Sequence, residues 1–584
     1  MNYLKQIINS DMNKMQQRRF YILKIVAVNF LWAAFFTGCN TDDNIGDDPY
    51  GGGKEPLGIR LLTDLPTPDK AYPGELVTFK AKGLGRWFDN EAGRYDFSFY
   101  ISNEQAEVVT ATDTTVTVKV PESLSTGITY MLLNGQVFYG PKLTVLGNVT
   151  IDRDYGLSKS GVPGTVYNYL EHSDKENHYH IIGNFRFSSP RIAHIARIDN
   201  RGNLGGGWSD YYRIDTDTWL GIGADLGNPA TGDDGLNYYA KSISYFHNEI
   251  IGGRPAVLLS GKFTKYQTVS RFQPISVLNM TKVGYDMSIQ YNDVMLPSIF
   301  GGGMISTRIA KFNGGTMEPP VATFVTSDDK VIAVGNITQY GKVDVERSFA
   351  QELVYEFTPV RTLVRMNSKG ELDEMYRKGK EGMTGMIQDA CIDEEDGIFI
   401  AGDLVTFDGV NVPNVIRVDK EGNLDEQFLH NIGEGANGPV TKIRYNQNRK
   451  KMMLVGSFTE FNGTPCNGVV MMNHDGTLDP DFQLRKMEGG TPNFACILDD
   501  HDIVVMSGSF KRYDNVSRQG FLMLSMNGEA MQKFNVPGMF AGELHQVIET
   551  KTTTNSNGLL LLGDFYRFNG EIINSAVMIE VDFD

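Results

Sequence analysis

The sequence predicts an all-β chain: a small sandwich followed by an array of small sheets of the propeller kind. Three observations predict this. Residues 59–145 hold short runs of alternating apolar and polar residues. Past Gly147, one glycine preceded by an apolar run recurs seven times. The last copies of that pattern repeat one unit of strand text almost word for word.

The fullest unit spans residues 452–482. An apolar run ends in Gly456-Ser457-Phe458, a polar turn follows at Asn462-Gly463, and a second apolar run reaches Asp475-Gly476 before Asp479 and Phe482 close it. Residues 398–428 repeat it with Gly402, Gly409, Gly422, Asp425 and Phe428. Residues 503–534 keep Gly508 and Gly528 but carry Ala530 where Asp479 stands. The full anchor set is Gly183, Gly261, Gly335, Gly402, Gly456, Gly508 and Gly563, and the spacing falls from 78 residues in the first interval to 52–55 in the last three.

Each unit predicts three clear strands and a short fourth, in one copy 440–445, 451–456, 468–473 and the segment around 479–482. The glycine suits a place where strands crowd near an axis and a β-carbon would clash. Asp-Gly and Lys-Gly turns supply the positive φ of tight hairpins. An isolated sheet of this size cannot bury both faces, so the units must stack, and a propeller or a comparable array follows. Seven anchors predict seven blades; six or eight stay open because insertions dilute the early copies. The last copy stops at Asp584, 21 residues past Gly563, where its fourth strand would begin. Residues 148–155 are expected to complete that blade.

At 584 residues the chain exceeds one compact core, so two or more domains are expected. The net charge is −17, and because the first 38 residues carry a net +4, the remainder is 21 negative. Such a body repels nucleic acid phosphates and anionic lipid heads, and no basic stripe offsets it; nucleic acid is not an expected partner. Cys39, Cys391, Cys466 and Cys496 form neither a disulfide framework nor a metal-ligand spacing. Cys391 and Cys496 occupy equivalent places in two units, as small buried strand residues would.

Residues 14–19 are basic, residues 20–36 are apolar, and Thr37-Gly38-Cys39 follows. This order is that of a secretory signal, with a single membrane span as the alternative. The cysteine after two small residues resembles the bacterial lipobox, with Phe36 where an aliphatic residue usually stands. The resemblance implies that Cys39 is lipidated (palmitate among its acyl chains) and becomes the mature first residue. Asn40, Thr41, Asp42 and Asp43 resemble the surface-export signal of Bacteroidota lipoproteins, which implies an outer-membrane protein facing outward on its lipid anchor. The expected domains are a signal peptide over 1–38, an acidic Gly-rich tether over 39–56, a sandwich over 57–147 and a propeller over 148–584. Met12 or Met15 is an alternative start.

Runs at 76–81, 97–100 and 115–120, separated by turns at Pro73-Gly74, Asn103-Glu104 and 125–127, read as a β-sandwich. Pro73-Gly74-Glu75 before a strand, then AEVVTATDTTVTVKVP, then Gly127 and a closing strand to Val145, resemble an immunoglobulin-like IPT/TIG domain. That resemblance implies a spacer or interaction module. Trp87-Phe88 is expected to pack at its edge. The wording GSF…NG…DG.LD..F is similar to the delta-60 repeats of bacterial β-propellers. The match holds in three copies and is recognisable at 366–373 and 197–204.

Function is sought where the unit is interrupted, because loops on a rigid scaffold carry binding residues. The insertion over 205–239 holds Trp208, Tyr211, Tyr212, Trp219, Tyr238 and Tyr239 among Asp210, Asp215, Asp217, Asp225, Asp233 and Asp234. Aromatic faces beside carboxylates suit sugar rings, whose C–H faces stack while their hydroxyls find acceptors. The competing reading is a small core of the insertion itself. Asp215-Thr216-Asp217 lacks the glycine and distal glutamate of a calcium loop. His172, His178 and His180 read as solvated or cross-strand histidines rather than metal ligands. Asp425 and Asp479 recur in register with the architecture and are expected to cap turns. Neither a GxSxG nor an HExxH motif occurs, and no catalytic residue or cofactor is assigned.

This assembly looks like the accessory surface lipoproteins of Sus-type nutrient-uptake systems. The resemblance implies a polymeric or oligomeric nutrient ligand, a glycan or else a peptide, and as partners a TonB-dependent transporter and its lipoprotein lid. A surface hydrolase using the propeller funnel, and a structural scaffold of the uptake complex, are the alternatives.

Overall fold

The computed structural model describes residues 57–89, 94–188, 191–204, 220–222, 238–267 and 275–583. Two units divide the chain, Met1–Ile59 and Arg60–Asp584. The second is all-β with a propeller-like repeat region. Among the described residues, two α-helices (Gly156–Ser160 and Glu426–Ile432) and two short 3-10 turns interrupt its strands.

Eight strands at the start share one continuous hydrogen-bonded path that includes Leu76–Lys82, Ser98–Ile101, Glu104–Ala111, Thr115–Lys119, Gly127–Leu133 and Gln136–Val145. Phe79 and Phe99 come from strands that are not neighbours in this path, yet their rings meet at 5.0 Å. The path therefore folds onto itself and buries Val77, Phe79, Phe99, Val116, Val118, Met131 and Leu143 between its layers. The alternating run 76–82 has its apolar residues inward and its lysines outward, as period-2 text requires.

Among the described residues, seven antiparallel units built on three strands follow, one for each anchor glycine. Their first strands are Gly164–His172, Tyr239–Ile251, Ala322–Val325, Met383–Ile392, Val440–Asn446, Pro492–Ile497 and Ala541–Lys551. Each pairs with a second strand that carries or directly precedes an anchor glycine, and that strand pairs with a third. Residues of the second strand alternate between two interfaces. Met452 and Leu454 pack with Phe399 and Ala401 of the fourth sheet, while Met453 and Val455 pack with Val504 and Met506 of the sixth. Both faces of the strand are thus buried, which is why these runs read as continuously apolar instead of alternating. Comparable cores join the first sheet to the second, the second to the third and the third to the fourth. Another core joins the seventh sheet to the first, through Leu560, Leu562 and Met578 against Val166, Tyr179 and Ile181.

The seventh sheet takes its fourth strand from far upstream. Val149–Ile151 pairs antiparallel with Ala576–Val581, matching Val149 to Val581 and Ile151 to Ile579. The carboxylate of Asp152 holds the exit from that strand by accepting from the Thr553 amide at 2.7 Å and the Thr553 hydroxyl. The completion expected of residues 148–155 is present.

The fourth strand expected of the other units is reduced to a single bridge in six of the units, such as Met472 to Leu478 and Val418 to Leu424. The aspartate that follows the bridge diverts the chain. Asp425 accepts from the Phe428 amide at 2.9 Å and starts the helix Glu426–Ile432, and Asp479 accepts from the Asp481 amide. These recurrent acids cap turns, as expected, and they also pair with cations of their own sheet. Asp373 binds Arg365 at 2.9 Å, Asp425 binds Arg417 at 2.7 Å, and Asp479 binds Lys451.

The eight-stranded sheet is clamped to the last two units. The Thr126 amide donates to the Val536 carbonyl at 2.8 Å and the Ser125 hydroxyl to the Asn535 carbonyl at 2.9 Å. The Ser517 amide donates to Glu104 at 2.7 Å, and the Lys142 ammonium to the Asn569 carbonyl at 2.9 Å.

Candidate functional site

The anchor glycine and the innermost strand together build a polar well. A β-carbon on Gly456 would lie 2.1 Å from the Pro439 carbonyl oxygen, and Gly183, Gly261, Gly402, Gly508 and Gly563 would collide with the equivalent carbonyl at 2.0 to 2.4 Å. Opposite each of these glycines the first strand bulges by one residue: Tyr167, Lys241, Gln388, Thr441, Asn493 and His545 are the extra residues. A bulge re-aims its side chain out of the alternation that would bury it. The third unit has no such bulge, and there the nearest atom to a β-carbon on Gly335 is 3.0 Å away. Crowding at the glycine and the inward aim of the extra residue are one feature.

Side chains from six of the seven units meet at these bulges. The Tyr167 ring stacks on His545 at 5.4 Å and meets the Tyr239 ring edge-on at 5.5 Å. His545 Nδ1 lies 2.8 Å from the Val166 carbonyl, which can only accept, so Nδ1 carries a proton. Its Nε2 faces Glu543 at 3.5 Å. Glu543 pairs with Lys442 at 2.8 Å, and Asp389 pairs with Arg444 at 2.7 Å. Arg444 also reaches across to donate to the His545 carbonyl at 3.4 Å. Asn493 donates to the Gly542 carbonyl at 3.0 Å.

The electrostatics follow from this pairing. Burial pushes the Glu543 carboxyl up, but His545 and Lys442 outweigh it and hold its pKa at about 2. Burial likewise opposes the Asp389 charge, and Arg444, Lys442 and Lys241 overcome it, leaving its pKa below the ordinary value. Burial lowers the Lys241 ammonium and raises the Tyr167 and Tyr239 phenols. The Glu543 and Asp389 carboxylates are ionised and engaged. Neither is set up to deliver a proton at neutral pH, as the acid of a glycosidase pair must.

Of the aromatics singled out in the sequence, Tyr239 stands at this well and half-buried Tyr238 packs at the interface of the first two units. Trp208, Tyr211, Tyr212, Trp219 and Cys39 lie outside the described residues. The insertion's described strand, Leu220–Ile222, extends the edge of the first sheet by parallel pairing with Arg191–Ile198. Sequence reasoning missed Tyr167, Lys241, Lys442, Arg444, Glu543 and His545. A signal existed: several inner strands read apolar–polar–polar–apolar, as in Ala240-Lys241-Ser242-Ile243 and Leu544-His545-Gln546-Val547, a slip in the period-2 text.

The histidines form a different arrangement. His172 and His180 are buried and stack at 4.3 Å across a strand pair, and Tyr285 bonds His172 Nδ1 at 2.6 Å. Burial, then Arg197, lowers the His172 pKa to about 3, so this pair is neutral. They are cross-strand, as expected, but buried instead of solvated. Among the described residues no group of three His, Cys, Asp or Glu could hold a metal ion. The thiols of Cys391 and Cys496 sit at equivalent inner-strand places, and burial pushes the latter up to about 12. A separate cavity of about 550 Å³ flanks the third unit, but its Arg365 and Arg377 are committed to Asp373 and Asp408.

Three families match parts of the chain. Domain of unknown function (DUF5008) matches residues 35–141, and Domain of unknown function (DUF5124) matches residues 145–242. Domain of unknown function (DUF5122) beta-propeller matches residues 395–428 and 450–482, two of the clean copies of the repeated unit. No curated protein matches the chain. Among solved structures, an auxiliary nutrient binding protein from Bacteroides thetaiotaomicron is similar over 76% of this chain and 94% of its own, at 10% identity and a TM-score of 0.28. One with the same description from Bacteroides ovatus is similar over 68% and 95%, at 11% identity and a TM-score of 0.18. A protein of unknown function from Bacteroides thetaiotaomicron is similar over 91% and 99%, at 12% identity and a TM-score of 0.20.

Proposed function

We propose that this chain is a surface lipoprotein that binds a saccharide ligand in the well formed by its inner-strand bulges, as an accessory of a nutrient-uptake system. In this reading the seven units are the blades of a closed, delta-60-like propeller over 148–584. The strand Val149–Ile151 closes it, and residues 57–147 are an IPT/TIG-like sandwich. Cys39 is lipidated after removal of 1–38 and holds the body outside the outer membrane through the tether 39–56, beside a TonB-dependent transporter and its lipoprotein lid. The observation that carries the binding role is the convergence of Tyr167, Tyr239 and His545 beside Lys241, Lys442 and Glu543. Rings of this kind stack on sugar C–H faces, and fixed donors and acceptors next to them orient hydroxyls.

A binding role is favoured over hydrolysis because Glu543 and Asp389, the ion-paired carboxylates of the well, are held charged by cations and so lack the proton a glycosidic leaving group needs. The test is a glycan array on the purified full chain, repeated with Tyr167→Ala and Tyr239→Ala. The expected result is binding without product release, lost in both variants. Product release by the wild type, or binding indifferent to both substitutions, overturns the reading.

A further inference from the structure

Lys241 is the one cation among Lys241, Lys442 and Arg444 that has no ion-pair partner among the described residues. Lys442 is matched to Glu543 at 2.8 Å and Arg444 to Asp389 at 2.7 Å. The second oxygen-bound position of Asp389 is occupied as well, since its Oδ2 also accepts from the Ile443 amide at 3.1 Å and its Oδ1 from the Ala390 amide at 3.1 Å. Lys241 is half-buried at its bulge and has no carboxylate of a described residue within 4.0 Å. The groups that face it are Asp389 from the fourth unit and Lys442 and Arg444 from the fifth. Two of those three repel it, and the third is engaged. The Arg444 Nε is also buried with no hydrogen-bond partner. A half-buried ammonium without a counter-ion costs free energy that a hydrophobic residue would not. Retaining it beside two other cations is the pattern of a site that waits for an anion.

We infer that the well recognises an acidic sugar, a uronic acid residue of a polysaccharide, whose carboxylate takes Lys241 as its counter-ion while Tyr167 and Tyr239 pack on its ring. This rests on the saccharide-binding reading above and narrows it. The remainder of the body is strongly negative and opposes an acidic polymer at long range, so selectivity must come from this local contact. A carboxylate on Lys241 forms a charge-assisted hydrogen bond in a partly desolvated place, where such bonds are strongest. A neutral sugar in the same position would leave the ammonium unmatched.

The test uses calorimetric titration of the full chain with oligogalacturonate and with the same oligosaccharide after reduction of its carboxyl groups. The acidic form should bind about tenfold or more tightly than the reduced form, the weight of one hydrogen bond to a charged group. Lys241→Met should abolish that preference, and Lys241→Arg should keep most of it. Met suits a half-buried strand position, and a denaturation midpoint no lower than that of the wild type confirms the fold of the variant. Equal binding of both oligosaccharides by the wild type, or a preference that survives Lys241→Met, overturns the acidic-sugar inference and leaves the saccharide reading standing. Absence of binding to both forms, together with an empty glycan array, overturns both.

Discussion

Gly456→Ala is the sharpest test of how the repeat region is put together. The added β-carbon would lie 2.1 Å from the Pro439 carbonyl oxygen and 2.9 Å from the Val440 Cα, both backbone atoms. Relief requires the two strands to part by about 1 Å, the shortfall from ordinary carbon–oxygen contact. They cannot part freely, because Met452, Met453, Leu454 and Val455 fill cores on both sides of the second strand. Overpacking of this kind costs about 1–3 kcal/mol. The struck oxygen also accepts from the Ser457 amide at 2.9 Å, and loosening that bond adds about 1 kcal/mol. Against this, alanine restricts the unfolded chain and returns about 0.5 kcal/mol. The expected net loss is about 1.5–3.5 kcal/mol. Gly335→Ala meets its nearest atom at 3.0 Å, in the one unit without a bulge, and should lose less than about 1 kcal/mol. Urea midpoints of the two variants of the full chain, followed by circular dichroism, measure the contrast. Equal midpoints for the two would refute the account of the glycine as a partner of the bulge.

Deleting residues 148–155 should lower the melting temperature markedly, by removing the strand Val149–Ile151 and the Asp152 contacts to Thr553; an unchanged melting curve would sink the closure argument. Stability should fall on acidification between about pH 4.5 and 2. Glu543 and Glu394 have folded pKa values of about 2, below their unfolded values, so what they contribute is present above pH 4.5 and is lost as pH falls through 2. Glu543→Gln should flatten that acid limb, and a limb of unchanged slope counts against the ion pairing with Lys442. Lys241→Met should raise the unfolding free energy at neutral pH by about 0.3–1 kcal/mol, read as a higher urea midpoint. The sign follows from a folded pKa below the unfolded one: the unmatched charge destabilises the fold at low pH, and the penalty fades as pH rises through the folded value. A lowered midpoint in this variant would mean that Lys241 has a partner in the fold.

The scaffold was legible in the sequence because it is written in periodic text. The seven anchors, the equivalence of Cys391 with Cys496 and the pairing of residues near Asn148 with the end of the chain all follow from spacing and apolar runs. The expected fourth strand was misread because Leu424 and Leu478 continue the apolar rhythm. Asp425 or Asp479, one residue later, bonds the amides ahead of it, and a turn or helix wins over the ladder. The well was harder to see. Its residues are Tyr, Lys, Gln, Thr, Asn and His at equivalent bulges, and a position that changes at every repeat has no motif. Lys442 with Glu543, and Asp389 with Arg444, are neighbours only once the sheets have packed, so nothing in their local text announces them.

The strand shared between the two ends of the repeat region has a consequence for the order of assembly. Val149–Ile151 and its partner Ala576–Val581 lie far apart along the chain, with all seven units between them. The contacts that fix the sandwich, Ser125 to Asn535 and Glu104 to Ser517, likewise join early residues to late ones. The units between them make contacts closer in sequence and can stack first, whereas these joints wait for residues far apart in the chain to meet. Until then the outer edge of Ala576–Val581 is a bare sheet edge that any passing strand can claim. Three residues of ladder therefore join the two ends of the repeat region, and they are the place where a foreign strand would intrude.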